Sequence, residues 1–116
     1  MTSKPVLLHN PKCSTSRNGL ALLTEKGLDF SVRLYLKDVL SEAEIEQIVL
    51  ANGKDVDLLV RTKEAKYIES MGDKKLTQKR AIRLLLKYPE LLERPVLLHG
   101  DRVAVGRPIE KILEIL

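Results

Sequence analysis

The chain has 116 residues, 44% hydrophobic and 31% charged, which suits one domain with a single core and excludes a disordered composition. No apolar run approaches the roughly 18 residues of a membrane span, and the opening MTSKPVLL lacks the long apolar region and cleavage site of a signal peptide. The formal charge of +4 admits an anionic partner, while aromatics at 3% leave almost nothing to stack on nucleic-acid bases, so neither membrane nor nucleic acid is expected.

Pro5-Val-Leu-Leu-His9 is a short apolar run of the kind that forms a buried strand. Asn10-Pro11-Lys12 breaks it, and a helix follows through SRNGLALLTEKG to end near Gly27. Phe30, Val32, Leu34 and Leu36 then alternate with polar or amphipathic neighbours, the period-two pattern of a half-buried strand. Strand, helix, strand is a βαβ opening with parallel strands.

The middle reads as helical. Ser41 and Glu44 form a capping box ahead of Ile45, Ile48 and Val49, and Asn52-Gly53 stops that helix. Asp55 can cap a short helix carrying Leu58 and Leu59, and Thr77 a further one carrying Ile82, Leu85 and Leu86. Lys79, Arg80, Arg83 and Lys87 fall near one stripe of it, which reads most simply as a solvated face. Residues 95–98 and 102–105 flank His99-Gly100-Asp101 as an antiparallel hairpin. Pro108 suits a first helical position before a closing amphipathic helix with Ile109, Ile112, Leu113 and Leu116. The expected architecture is α/β, a thioredoxin-like βαβ…ββα mixed sheet in one domain spanning 1–116, with a helical insertion at about 41–92.

Cys13 is the only cysteine, so no internal disulfide can form, which suits the reducing cytoplasm. It follows a strand and opens a helix, where unpaired N–H groups and the positive dipole end favour thiolate. A free thiol of pKa about 8.5 is only ~3% ionised at neutral pH, so this placement matters. An inert buried cysteine is the competing reading; the loop-to-helix position favours a nucleophile. Gly19 stands where a phosphatase loop would need arginine, and Ser16 stands where a C-x-x-C motif would need its second sulfur. Arg94-Pro95 and Arg107-Pro108 each place a guanidinium at an element boundary, a cis Arg94–Pro95 bond being a natural device there, and Arg61 lies in the helix-end segment LLVRTKEAKY. His9 and His99 with one cysteine offer no metal-ligand spacing, and no glycine-rich phosphate loop or dinucleotide fingerprint is present.

HNPKCSTSRN at 9–18, RTKEAKY at 61–67, ERP at 93–95 and GRP at 106–108 stand in an order that resembles the glutaredoxin- and glutathione-dependent arsenate reductases, the ArsC-like family of the thioredoxin-like superfamily. The resemblance covers essentially the whole chain. It implies a catalytic cysteine at Cys13, oxyanion-binding arginines at Arg61, Arg94 and Arg107, and thiolate-stabilising roles for His9 and Ser16. It also implies arsenate or a similar oxyanion as substrate, glutathione as co-substrate, glutaredoxin as protein partner, and no bound cofactor. Ser14 departs from the family, which usually has glycine after the cysteine; a serine can constrain the loop or offer a hydroxyl. Two other readings share the fold: a glutathione-linked thiol oxidoreductase of another substrate, and a non-enzymatic regulator of the Spx type, whose usual C-x-x-C switch is absent here.

Overall fold

A computed structural model describes residues 4–116; the first three residues, part of the stretch read against a signal peptide, lie outside them. Two compact units divide the chain. One combines residues up to Val39 with Arg94–Leu116, and the other is Leu40–Glu93.

The first unit holds a four-stranded sheet in the order β2-β1-β3-β4, with β1 Val6–Leu8, β2 Ser31–Arg33, β3 Val96–His99 and β4 Arg102–Val105. β1 pairs parallel with β2 and antiparallel with β3, and β3 continues antiparallel into β4. This is the thioredoxin-like α/β arrangement. Helix α1, Ser14–Glu25, makes the crossover between the parallel strands, and Gly27 takes φ +67° just beyond its end, a conformation only glycine adopts cheaply. Leu7, Leu23, Leu97, Ala104, Ile112 and Ile115 form the unit's buried core. Full burial of one such leucine or isoleucine contributes about 1.5–3 kcal/mol.

Three elements of this unit differ from their sequence patterns. β2 ends at Arg33 rather than extending to Lys37, because β1 offers only three partner residues. The chain then turns, with the N–H groups of Lys37 and Asp38 both donating to Leu34 O and the Arg33 guanidinium donating to Asp38 O and Val39 O. The alternation fails accordingly: Val32 is 44% exposed, whereas Tyr35 is buried. The hairpin turns on Gly100-Asp101 alone, since His99 pairs with Arg102 inside the ladder. The closing helix is a 3-10 helix, Ile109–Ile115, capped by Pro108 rather than beginning with it. Three residues per turn align Ile109, Ile112 and Ile115 inward and leave Leu116 outside.

The Arg94–Pro95 peptide is cis as expected, and Arg107–Pro108 is cis as well. Gly19 and Gly106 both press on Pro95. A Cβ on either would lie 2.9 Å from Pro95 Cγ, with Ile109 Cδ1 about as close. Glycine at these two positions lets α1 and the end of β4 reach the proline.

The second unit is helical: α2 Glu42–Ala51, α3 Val56–Leu59, α4 Ala65–Met71 and α5 Gln78–Lys87. The Ser41 capping box is complete, with Ser41 Oγ accepting from Glu44 N–H and Glu44 Oε1 accepting from Ser41 N–H. Thr77 Oγ1 caps α5 by accepting from Arg80 N–H. Asp55 precedes α3 without a side-chain cap. On α5 the buried face is Ala81, Leu84 and Leu85, so Leu86, expected inside, is instead exposed. Helix α4 had no distinct sequence signal, and Arg61 follows the end of α3 as expected, next to the Val60–Leu92 bridge.

Candidate active site

The site in the first unit begins with the chain leaving β1. His9 and Asn10 are buried polar residues, and Asn10 folds the next turn onto itself. Its Oδ1 accepts from Lys12 N–H at 3.0 Å, and its carbonyl accepts from Cys13 N–H at 3.0 Å. An Asn-Pro pair is suited to this turn, because the asparagine side chain can stand in for a backbone acceptor. Arg17 closes the loop from the first turn of α1, donating from Nη1 to Pro11 O at 2.8 Å.

Cys13 is the N-cap of α1, in extended conformation, half-buried, and its carbonyl accepts the first helical bond from Arg17 N–H. Burial alone would push the thiol up. The backbone N–H of Ser16, the hydrogen bond and positive charge of Arg94, and the N–H of Thr15 outweigh it, and the thiol lies below its ordinary range. Arg107 Nη2 reaches the sulfur at 3.8 Å. That guanidinium is held in place by Arg94, whose carbonyl accepts from Arg107 Nη2 at 2.9 Å and Nε at 3.2 Å. Two residues adjoining cis prolines thus aim two cations at one sulfur.

Ser16 is fully buried beneath the loop. Its Oγ accepts from Asn10 N–H at 3.0 Å and shares a hydrogen bond of 2.7 Å with His9 Nδ1. Burial and the nearby Arg17 charge hold His9 below the usual histidine range, against the opposing effect of its Ser16 hydrogen bond. His9 is therefore neutral at neutral pH. Ser14 is the first residue of α1, with no positive φ, so it replaces the family's usual glycine without backbone strain.

Five of the six residues singled out by sequence, His9, Cys13, Ser16, Arg94 and Arg107, come together here. Arg61 belongs to the other unit, where Nη2 pairs with Glu64 at 2.8 Å and Nε with Glu93 at 3.8 Å. Asn10 and Arg17 were missed as contributors, although the Asn-Pro turn signal and an arginine four residues after the cysteine were both visible. Among the described residues no group of three His, Cys, Asp or Glu side chains could hold a metal. Among them too, no helix is long and apolar enough to cross a membrane.

The profile of the ArsC family matches residues 8–115. The chain belongs to the ArsC family. This ArsC-family chain is 37% identical over 113 residues to the arsenate reductase of Haemophilus influenzae, a match covering 96% of this chain and 97% of that protein. It is 35% identical over its whole length to the protein YfgD of Escherichia coli K12, described as uncharacterized, with 99% of that protein covered. A solved structure, arsenate reductase from Vibrio cholerae, superposes with a TM-score of 0.88 at 35% identity, covering 100% of both chains.

Proposed function

We propose that this protein is an arsenate reductase using glutathione and glutaredoxin as external reductants, in the cytoplasm, built as one domain with residues 41–92 inserted. The observation that carries the reading is the Cys13 sulfur at a helix start, with Arg94 and Arg107 directed at it. A guanidinium fork matches a tetrahedral oxyanion, and a thiolate is the nucleophile such an anion meets.

In this mechanism Cys13 thiolate attacks arsenic and an arsenate oxygen leaves, protonated, as water. Arg94 and Arg107 neutralise the developing charge, and the family resemblance gives Arg61 the same role. The Ser16–His9 pair holds the loop that keeps the sulfur ionised. Glutathione then supplies the second thiol, because Cys13 is the only cysteine. Two thiols become one Cys13–glutathione disulfide while arsenic gains two electrons, so arsenate, Cys13 and glutathione yield arsenite, the mixed disulfide and water. Glutaredoxin removes the glutathione by thiol–disulfide exchange.

The test is arsenate-dependent NADPH oxidation coupled through glutathione reductase, glutathione and glutaredoxin. Wild type is expected to turn over and Cys13→Ser to lose turnover to background. An inactive wild type, or an active Cys13→Ser, would sink the reading.

A further inference from the structure

Within the Leu40–Glu93 unit, Lys74, Arg80, Arg83 and Lys87 line a hollow of about 230 Å³. Its floor is apolar, from the buried Met71 and Leu84. No carboxylate lines it, and among the described residues none of these four cations takes part in an ion pair. The row Arg80, Arg83, Lys87 climbs two helical turns of α5, roughly 10 Å. Arg80 is fixed by donating from Nη1 to Lys75 O at 2.7 Å. Tyr88 closes the end of the hollow, with the Lys66 and Lys87 ammonium groups 5.2 Å and 5.3 Å from its ring centroid. Those contacts order Lys87 and draw a further cation toward the rim.

Like charges gathered around a concavity repel one another, and a multivalent anion removes that repulsion while gaining several charge-assisted hydrogen bonds. Size limits the choice. The hollow is smaller than the roughly 300–1,000 Å³ typical of drug-sized ligand sites, so it suits a compact head group rather than a whole dinucleotide. The only aromatic ring at the hollow is already covered by ammonium groups, which disfavours base stacking and therefore single-stranded nucleic acid. We propose that this hollow is a second anion site, built for a small polyphosphate group, whether free or as the tail of a nucleotide.

Isothermal titration with sodium tripolyphosphate, with ATP and with a short DNA duplex, alongside amide shift mapping, tests this. Tripolyphosphate and ATP are expected to bind with similar affinity, because only phosphates are held. Shifts should map to residues 74–88, and affinity should fall as salt rises. Arg83→Gln/Lys87→Gln changes only exposed side chains and is expected to weaken binding at least tenfold with unaltered thermal unfolding. Absence of saturable binding, or binding unaffected by the double substitution, would overturn the site. Tighter binding of ATP than tripolyphosphate would overturn phosphate-only recognition. Duplex DNA bound more tightly than tripolyphosphate, and lost in the same variant, would replace the small anion with nucleic acid.

Discussion

Arg94 and Arg107 on one side, and Arg61 on the other, are the same residue type with different neighbours. Arg107 is steered by a neutral carbonyl, and both it and Arg94 face a sulfur. Arg61 sits between two carboxylates, Glu64 and Glu93. A guanidinium beside the sulfur stands where an anion attacked by that sulfur would sit. One neutralised by carboxylates must exchange partners before it can hold an oxyanion, and that exchange offsets much of the gain. The contrast divides the proposed oxyanion arginines into two placed at the sulfur and one held between carboxylates.

Replacing Arg94 tests the pair at the sulfur most severely. Arg94→Ala is expected to lower arsenate-dependent kcat/KM by about 10²–10³, as for loss of one preorganised oxyanion donor. It should also raise the pH at which iodoacetamide alkylates Cys13, because the hydrogen bond and charge that lower the thiol are gone. Equal alkylation profiles in the two proteins would break the distinction at its firmer end.

Gly19→Ala probes the packing behind that pair. Alanine in a helix interior normally stabilises relative to glycine by about 0.5–1 kcal/mol. Here its methyl would meet the rigid Pro95 ring at 2.9 Å, so a loss of about 1–3 kcal/mol is expected in urea unfolding. A gain in stability would show that the proline yields.

Arg61 is expected to respond more mildly than Arg94. Arg61→Ala should reduce kcat/KM by about tenfold, near 1.4 kcal/mol. Glu64→Gln, by releasing the shorter ion pair, should lower KM for arsenate severalfold. If Arg61→Ala is as damaging as Arg94→Ala and Glu64→Gln is silent, the arginine between carboxylates is no different from the two at the sulfur.

The smallest effect concerns His9, whose native form resists protonation. Below the ordinary histidine value of about 6.5 the unfolded chain takes up a proton that the native chain refuses. Stability contributed by neutral His9 is therefore full above that pH and declines as pH falls toward the lower native value. Urea midpoints between pH 7 and 5 should fall less steeply in His9→Gln than in wild type. Parallel slopes would remove His9 from the account.

Signals confined to a few neighbouring residues survived folding intact. The Ser41 capping box, the Thr77 cap, the β1–loop–α1 turn and Gly27 at the helix end all depend on bonds between residues close in the chain, the longest joining His9 to Ser16. The motif around Cys13 was equally legible, since its N-cap position follows from the strand, the Asn-Pro break and the helix pattern. The misreadings have a common cause. β2 was overextended because alternation at 30–37 says nothing about how many residues β1 presents, and Tyr35 was misplaced with it. Leu86 was assigned inward because α5 has apolar residues on more than one face and only its neighbours choose among them. Helix α4 has too short a pattern to stand out, and the carboxylates around Arg61 come from positions 64 and 93.

The sequence by itself determined the single cysteine at a helix start and the arginines positioned before prolines, because composition and local hydrogen bonding specify these. Only the tertiary structure decided which arginines face the sulfur, which is engaged by carboxylates, and that Gly19 and Gly106 must both be small. Those outcomes depend on side chains far apart in the chain meeting in space, and no local pattern encodes the meeting.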